Sequence, residues 1–171
     1  MPPDQTMPFS AIETSRENPN EGPLFQRWRL ILFDFDGTLV DSQHGNRHCK
    51  PEASVGHGHA PTSLAQRYRE AAATLRNGAD FHEPLFDGVR ETLRALDRPE
   101  LCLGIATGKN LRGLQFSLQY HGLKEHFLTL QTPDIAPSKP HPAMVHQDMA
   151  ACGSEPGETV VVGDTSFDME M

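Results

Sequence analysis

Four short, unbroken apolar runs mark the chain: Leu30-Ile31-Leu32-Phe33, Leu101-Cys102-Leu103-Gly104-Ile105-Ala106, Phe127-Leu128-Thr129-Leu130 and Thr159-Val160-Val161-Val162. Each stops at turn-forming or polar residues: Asp34, Thr107-Gly108, Gln131-Thr132-Pro133 and Gly163-Asp164. Runs of this length without alternation read as strands covered on both faces. Between them the apolar spacing becomes helical. Val89, Leu93 and Leu96 form one stripe; Leu111, Leu114 and Leu118 form another, with Gly122 as its C-terminal cap. Pro142 opens a third helix that places Val145 and Met149 on one face and ends at Gly153. Strands alternating with helices predict right-handed crossovers and an α/β, doubly wound, Rossmann-like parallel sheet. Ligands of such sheets bind beyond the carboxyl ends of the strands. Asp34, Thr107 and Asp164 stand there.

Two segments break the pattern. Residues 1–27 are rich in Pro, Asn, Glu and Ser and poor in large apolar side chains, which reads as a disordered tail. Residues 43–61 lack periodicity and abound in turn formers, so they read as loop. Thr62 can then cap a helix whose face is Leu64, Tyr68, Ala72 and Leu75. Only 37% of the 171 residues are hydrophobic, and the N-terminal tail holds the deficit. The formal charge of −8 opposes a nucleic-acid partner and requires any phosphate site to be positive locally. No apolar stretch reaches bilayer length, and no signal-peptide core follows Met1. Cys49, Cys102 and Cys152 are odd in number and scattered; they read as reduced thiols of a cytoplasmic protein, with Cys102 buried in its strand.

The most informative string is Asp34-Phe35-Asp36-Gly37-Thr38, directly after the first strand. Gly37 can turn the chain so that both carboxylates approach one ligand. One carboxylate can attack phosphorus to form an acyl phosphate, and the other can move the protons. An isolated Asp-x-Asp is more often a cap or turn; its position after a buried strand sets this one apart. Thr107 and the amide of Gly108 can donate to phosphoryl oxygens at a strand-to-helix turn, although a Thr-Gly pair is commonly a turn alone. Lys139, in Ser138-Lys139-Pro140-His141-Pro142, precedes a helix start, where an anion already gains from backbone amides. Asp164 and Asp168 follow the last strand and offer hard oxygen ligands of the kind magnesium prefers. A rival cluster, His44, His48, Cys49, His57 and His59, has no closed zinc spacing and reads as loop.

Taken in order, these strings resemble the four signatures of the haloacid dehalogenase superfamily, in its phosphoglycolate-phosphatase-like subgroup. The resemblance runs from about residue 29 to residue 171. It implies that Asp34 is the nucleophile and Asp36 the general acid/base. It also implies that Thr107, Gly108 and Lys139 bind the phosphoryl group, with Lys139 neutralising the nucleophile. Asp34, the backbone carbonyl of Asp36, and Asp164 would ligate Mg2+, with Asp168 in support. The implied activity is magnesium-dependent hydrolysis of a small phosphorylated metabolite through an aspartyl phosphate. His82 and Glu83 would be hinge or rim residues of the return from cap to core.

The sequence also departs from that pattern. Residues 28–42 and 84–171 would form the core, leaving residues 43–83 as a reduced, vestigial or incomplete helical cap. The chain stops one turn past the fourth signature, which predicts an open edge at the last strand and a frayed Asp168. An inactive remnant that binds phosphate or a partner is therefore the alternative, with a phosphosugar mutase behind it.

Overall fold

The computed structural model describes residues 27–42, 74 and 81–171. The expected tail, the 43–61 loop and nearly all of the Thr62–Asn77 helix fall outside these residues. Strands β1 (Leu30–Phe33), β2 (Cys102–Ala106), β3 (Thr129–Gln131) and β4 (Thr159–Val162) form one parallel sheet in the order β3-β2-β1-β4. Helices α1 (Val89–Leu96), α2 (Leu111–His121), α3 (Ala143–Cys152) and α4 (Ser166–Met169) alternate with the strands. No helix among the described residues is long and apolar enough to cross a membrane.

The sheet is central because β1 is buried along its whole length. Ile31 and Phe33 point to one face, where they pack with Val89, Leu93 and Leu96 of α1 and with Leu114 and Leu118 of α2. Alternate residues point the other way, and Met144 and Asp148 of α3 are buried on their own helix's inner side. The α1 and α2 stripes match the spacing. Gly122 and Gly153 close α2 and α3 in the left-handed conformation that a residue without Cβ adopts most readily.

Three expectations shift. β3 begins at Thr129, not Phe127: Phe127 packs edge-on against Phe33, and Leu128 is left exposed. The inner side of α3 holds Met144 and Asp148, whereas Val145 is only half-buried. A carboxylate can occupy that face because Gln131 Nε2 donates to its Oδ1 at 2.9 Å. Cys102 is half-buried rather than enclosed, and close to Cys152, whose thiol burial and Cys102 together push up to about 12. Among the described residues β4 pairs with β1 alone, and it is partly exposed along its length.

Candidate active site

Parallel register decides which side chains meet. Phe33 lies opposite both Ile105 and Val162, so the chain leaves β1, β2 and β4 at the same end of the sheet. The Asp34 amide extends the ladder to Val162 O at 2.8 Å, and the Thr107 amide reaches Gln131 O at 3.1 Å. The first residues past three neighbouring strands therefore stand side by side at one edge.

Asp34 is 7% exposed. Its Oδ1 accepts from the Phe35 amide at 2.7 Å and lies 2.9 Å from Lys139 Nζ, leaving Oδ2 without a partner among the described residues. Burial raises the pKa of this carboxyl above its ordinary value, and Lys139 and the Phe35 amide pull partly against it. Lys139 also binds Asp168 Oδ1. Its loop continues into a cis Lys139–Pro140 peptide.

Asp168 is 2% exposed, which corrects the expected fraying. The reason is local: its Oδ2 accepts from the Thr165 amide at 3.0 Å and the Thr165 hydroxyl at 2.7 Å, closing a capping box around α4. Burial pushes this carboxyl up, but the Lys139 and Thr165 bonds outweigh it and hold Asp168 below the ordinary range.

Asp164 completes the group. Ligand oxygens of Asp34, Asp164 and Asp168 all lie within 4.8 Å of one another. Asp164 is exposed and has no hydrogen bond or ion pair among the described residues. Gly37, at φ 93°, makes room for it: a Cβ there would collide with the Asp164 carboxylate. Only glycine combines that backbone conformation with that clearance. The donor set suits a hard divalent cation, since three carboxylates gather their oxygens here and Asp164 is uncommitted among the described residues.

Thr107 is buried, and its hydroxyl accepts from the Lys109 amide at 3.2 Å. Gly108 is exposed and has open space where a Cβ would stand, so no steric demand fixes its identity. The geometry thus brings Asp34, Asp164, Lys139 and Asp168 into direct proximity, with Thr107 at the adjoining strand end.

The sequence reading missed Lys109 and did not foresee its partnership with Glu83. Lys109 Nζ lies 2.8 Å from Asp36 Oδ1 and 2.8 Å from Glu83 Oε1. Glu83, expected at a hinge or rim, is buried, with His121 Nε2 3.8 Å from its second oxygen. Burial raises this carboxyl, but His121, Lys109 and Ser117 more than offset that and bring it to about 2. For Lys109, burial works against the charge, yet Asp36 and Glu83 outweigh it and raise the ammonium above its ordinary value. The only signal in the sequence was Lys109 standing directly after Thr107-Gly108; its partners lie 73 and 26 residues away.

Comparison with known proteins adds the lineage. A phosphoglycolate phosphatase of Photorhabdus laumondii is 30% identical over 177 residues, covering 82% of this chain and 74% of that protein. Pyrophosphatase PpaX of Oceanobacillus iheyensis is 27% identical over 165 residues, covering 82% and 77%. The crystal structure of CbbY from Rhodobacter sphaeroides in complex with phosphate shares the fold at a TM-score of 0.69, with 18% identity over 84% of this chain and 80% of that one. The family model for haloacid dehalogenase-like hydrolases matches residues 28–171, so the chain belongs to that hydrolase family.

Proposed function

We propose that this hydrolase is a magnesium-dependent phosphatase acting on small phosphate monoesters through an aspartyl phosphate on Asp34. The observation that carries the reading is the buried Asp34 carboxylate, pinned through one oxygen by Lys139 and its own chain, with the other oxygen unpartnered among the described residues. A carboxylate fixed in this way pays little orientation entropy on attack.

In the first step Asp34 Oδ2 forms a bond to phosphorus while the ester P–O bond breaks. Asp36 gives its proton to the departing oxygen. In the second step water attacks phosphorus, its proton passes to Asp36, and the bond to Asp34 breaks, releasing inorganic phosphate. Lys139 balances charge on Asp34 and on the phosphoryl oxygens, and is itself held by Asp168. Thr107 and the Gly108 amide close the phosphoryl side. Asp34, Asp164 and the Asp36 carbonyl would hold Mg2+. Bound there, the ion supplies charge neutralisation between two anions and polarises the phosphoryl group. The phosphoglycolate phosphatase among the relatives supports this substrate class.

The test is phosphate release from a panel of small phosphate esters, with magnesium and with EDTA. The expected result is magnesium-dependent turnover that Asp34→Asn abolishes, since the amide keeps the shape but not the nucleophile. Turnover surviving that substitution, or indifferent to EDTA, would sink the mechanism. Tight binding of phosphate without turnover would favour an inactive remnant.

A further inference from the structure

We infer that Lys109 is a positioning residue that holds the Asp36 carboxylate in the orientation needed for proton transfer and ties it to Glu83 on the chain's return to the core. The inference rests on the phosphatase reading above and assigns a role to a lysine outside the four signatures.

Asp36 follows the strand on a turn, and its side chain is 29% exposed. Left alone, such a side chain samples several rotamers, and a proton donor must sit within hydrogen-bond reach of one oxygen of the ester. Lys109 removes that freedom. Its ammonium engages Asp36 Oδ1 at 2.8 Å, and Oδ2 keeps no hydrogen bond among the described residues. The lysine itself is fixed from three sides. Glu83 Oε1 stands 2.8 Å away, the Phe35 ring centre lies 5.1 Å beneath the ammonium, and the Lys109 amide is bonded to the Thr107 hydroxyl. Its side chain is 15% exposed.

The same contacts argue against Lys109 as a phosphate ligand. One positive charge already faces two carboxylates, so none is left over for an incoming anion. Lys139, by contrast, lies directly on the nucleophile. Glu83 gives the arrangement its structural meaning. The outgoing chain at Leu39–Asp41 pairs with the returning chain at Pro84–Phe86 through Asp41 N to Pro84 O at 2.8 Å and Phe86 N to Leu39 O at 3.1 Å. Lys109 bridges the base of this two-stranded clasp, with Asp36 on one arm and Glu83 on the other.

The experiment compares Lys109→Met with the wild type on two esters, an alkyl phosphate and 4-nitrophenyl phosphate, following release of the first product in a single turnover. The alkyl oxygen needs a proton to depart; nitrophenolate does not. A misplaced acid should slow alkyl release by about 10–100-fold and leave nitrophenol release within about threefold. KM should change little, since no substrate contact is lost. Lys109→Arg keeps the charge but displaces the donors, and should show the same selectivity at about three- to tenfold. It carries the test if the Met variant does not fold. An active wild type whose variants slow both esters equally, or raise KM at unchanged turnover, would overturn the positioning role and leave the phosphatase reading standing. A wild type inert toward both esters, or Asp34→Asn as active as wild type, would sink both.

Discussion

Replacing Asp148 by Asn should stabilise this protein at neutral pH. Asp148 is wholly buried on the inner side of α3, and burial drives its carboxyl up to about 6 against the lowering influence of Gln131 and Thr129. A folded-state value above the unfolded one means that the native state binds the proton more tightly. The carboxyl therefore costs nothing below the unfolded value of 3.8, and its destabilisation grows as pH rises to about 6 and is complete above it. The difference of 6 − 3.8, about two units, sets a ceiling of about 3 kcal/mol. Relaxation and the effective interior dielectric reduce the expected gain to about 1–2 kcal/mol. Asn keeps the acceptor that Gln131 uses. Its amide can also donate toward Gln131 Oε1, which is buried without a hydrogen-bond partner. Urea unfolding of both proteins should show the Asn variant ahead at about pH 7.5, with the gap closing as pH falls from about 6 to about 4. In melting experiments the gain corresponds to about 2–4 °C per kcal/mol. An Asn variant that is less stable at neutral pH, or a gap that ignores pH across that window, would refute the reasoning.

Three further outcomes test the site. Gly37→Ala drives a Cβ into the Asp164 carboxylate from a left-handed backbone, so it should lower stability by about 1–3 kcal/mol and weaken magnesium binding, read by urea unfolding and calorimetry. Lys139→Met leaves Asp34 and Asp168 buried without their shared cation; turnover should vanish and unfolding free energy fall by about 3 kcal/mol. Millimolar magnesium should raise the melting temperature of the wild type and not that of Asp164→Ala, because the ion then loses its uncommitted ligand; equal shifts would move the metal elsewhere.

The sheet was legible because β1 and β4 are unbroken apolar runs that end in carboxylates, and such runs have few other uses. β3 was misplaced because Phe127 and Leu128 prolong the apolar pattern, although Leu128 faces solvent and hydrogen bonding starts at Thr129. The inner face of α3 was missed for a different reason. Spacing rules treat Asp148 as polar and turn it outward, whereas a tertiary partner, Gln131, lets it point in. Asp34, Asp164, Lys139 and Asp168 were readable in order, but their proximity came only from parallel register. Lys109 with Asp36 and Glu83 was not readable, since no local pattern announces an ion pair between residues so far apart along the chain.

Charge arithmetic at the strand ends leads to one more expectation. Asp34, Asp164 and Asp168 carry three negative charges when ionised, and Lys139 supplies one positive charge, leaving −2 where the proposed reaction requires an anion to bind. A like charge about 4 Å away costs about 4 kcal/mol at an effective dielectric of 20. A divalent cation brings the sum to zero, so it and the phosphoryl group should bind cooperatively. Linkage makes the effect reciprocal: the factor by which magnesium tightens phosphate binding must equal the factor by which phosphate tightens magnesium binding. Calorimetric titrations of inorganic phosphate with and without magnesium, and of magnesium with and without phosphate, measure both factors. Each should exceed about tenfold, a coupling of about 1.4 kcal/mol. Asp164→Asn removes one negative charge and should raise phosphate affinity in the absence of metal while lowering the cooperativity. Phosphate that binds as tightly in EDTA as in magnesium would show that Lys139 and the backbone amides suffice, and that the acidic cluster does not set the affinity of the site.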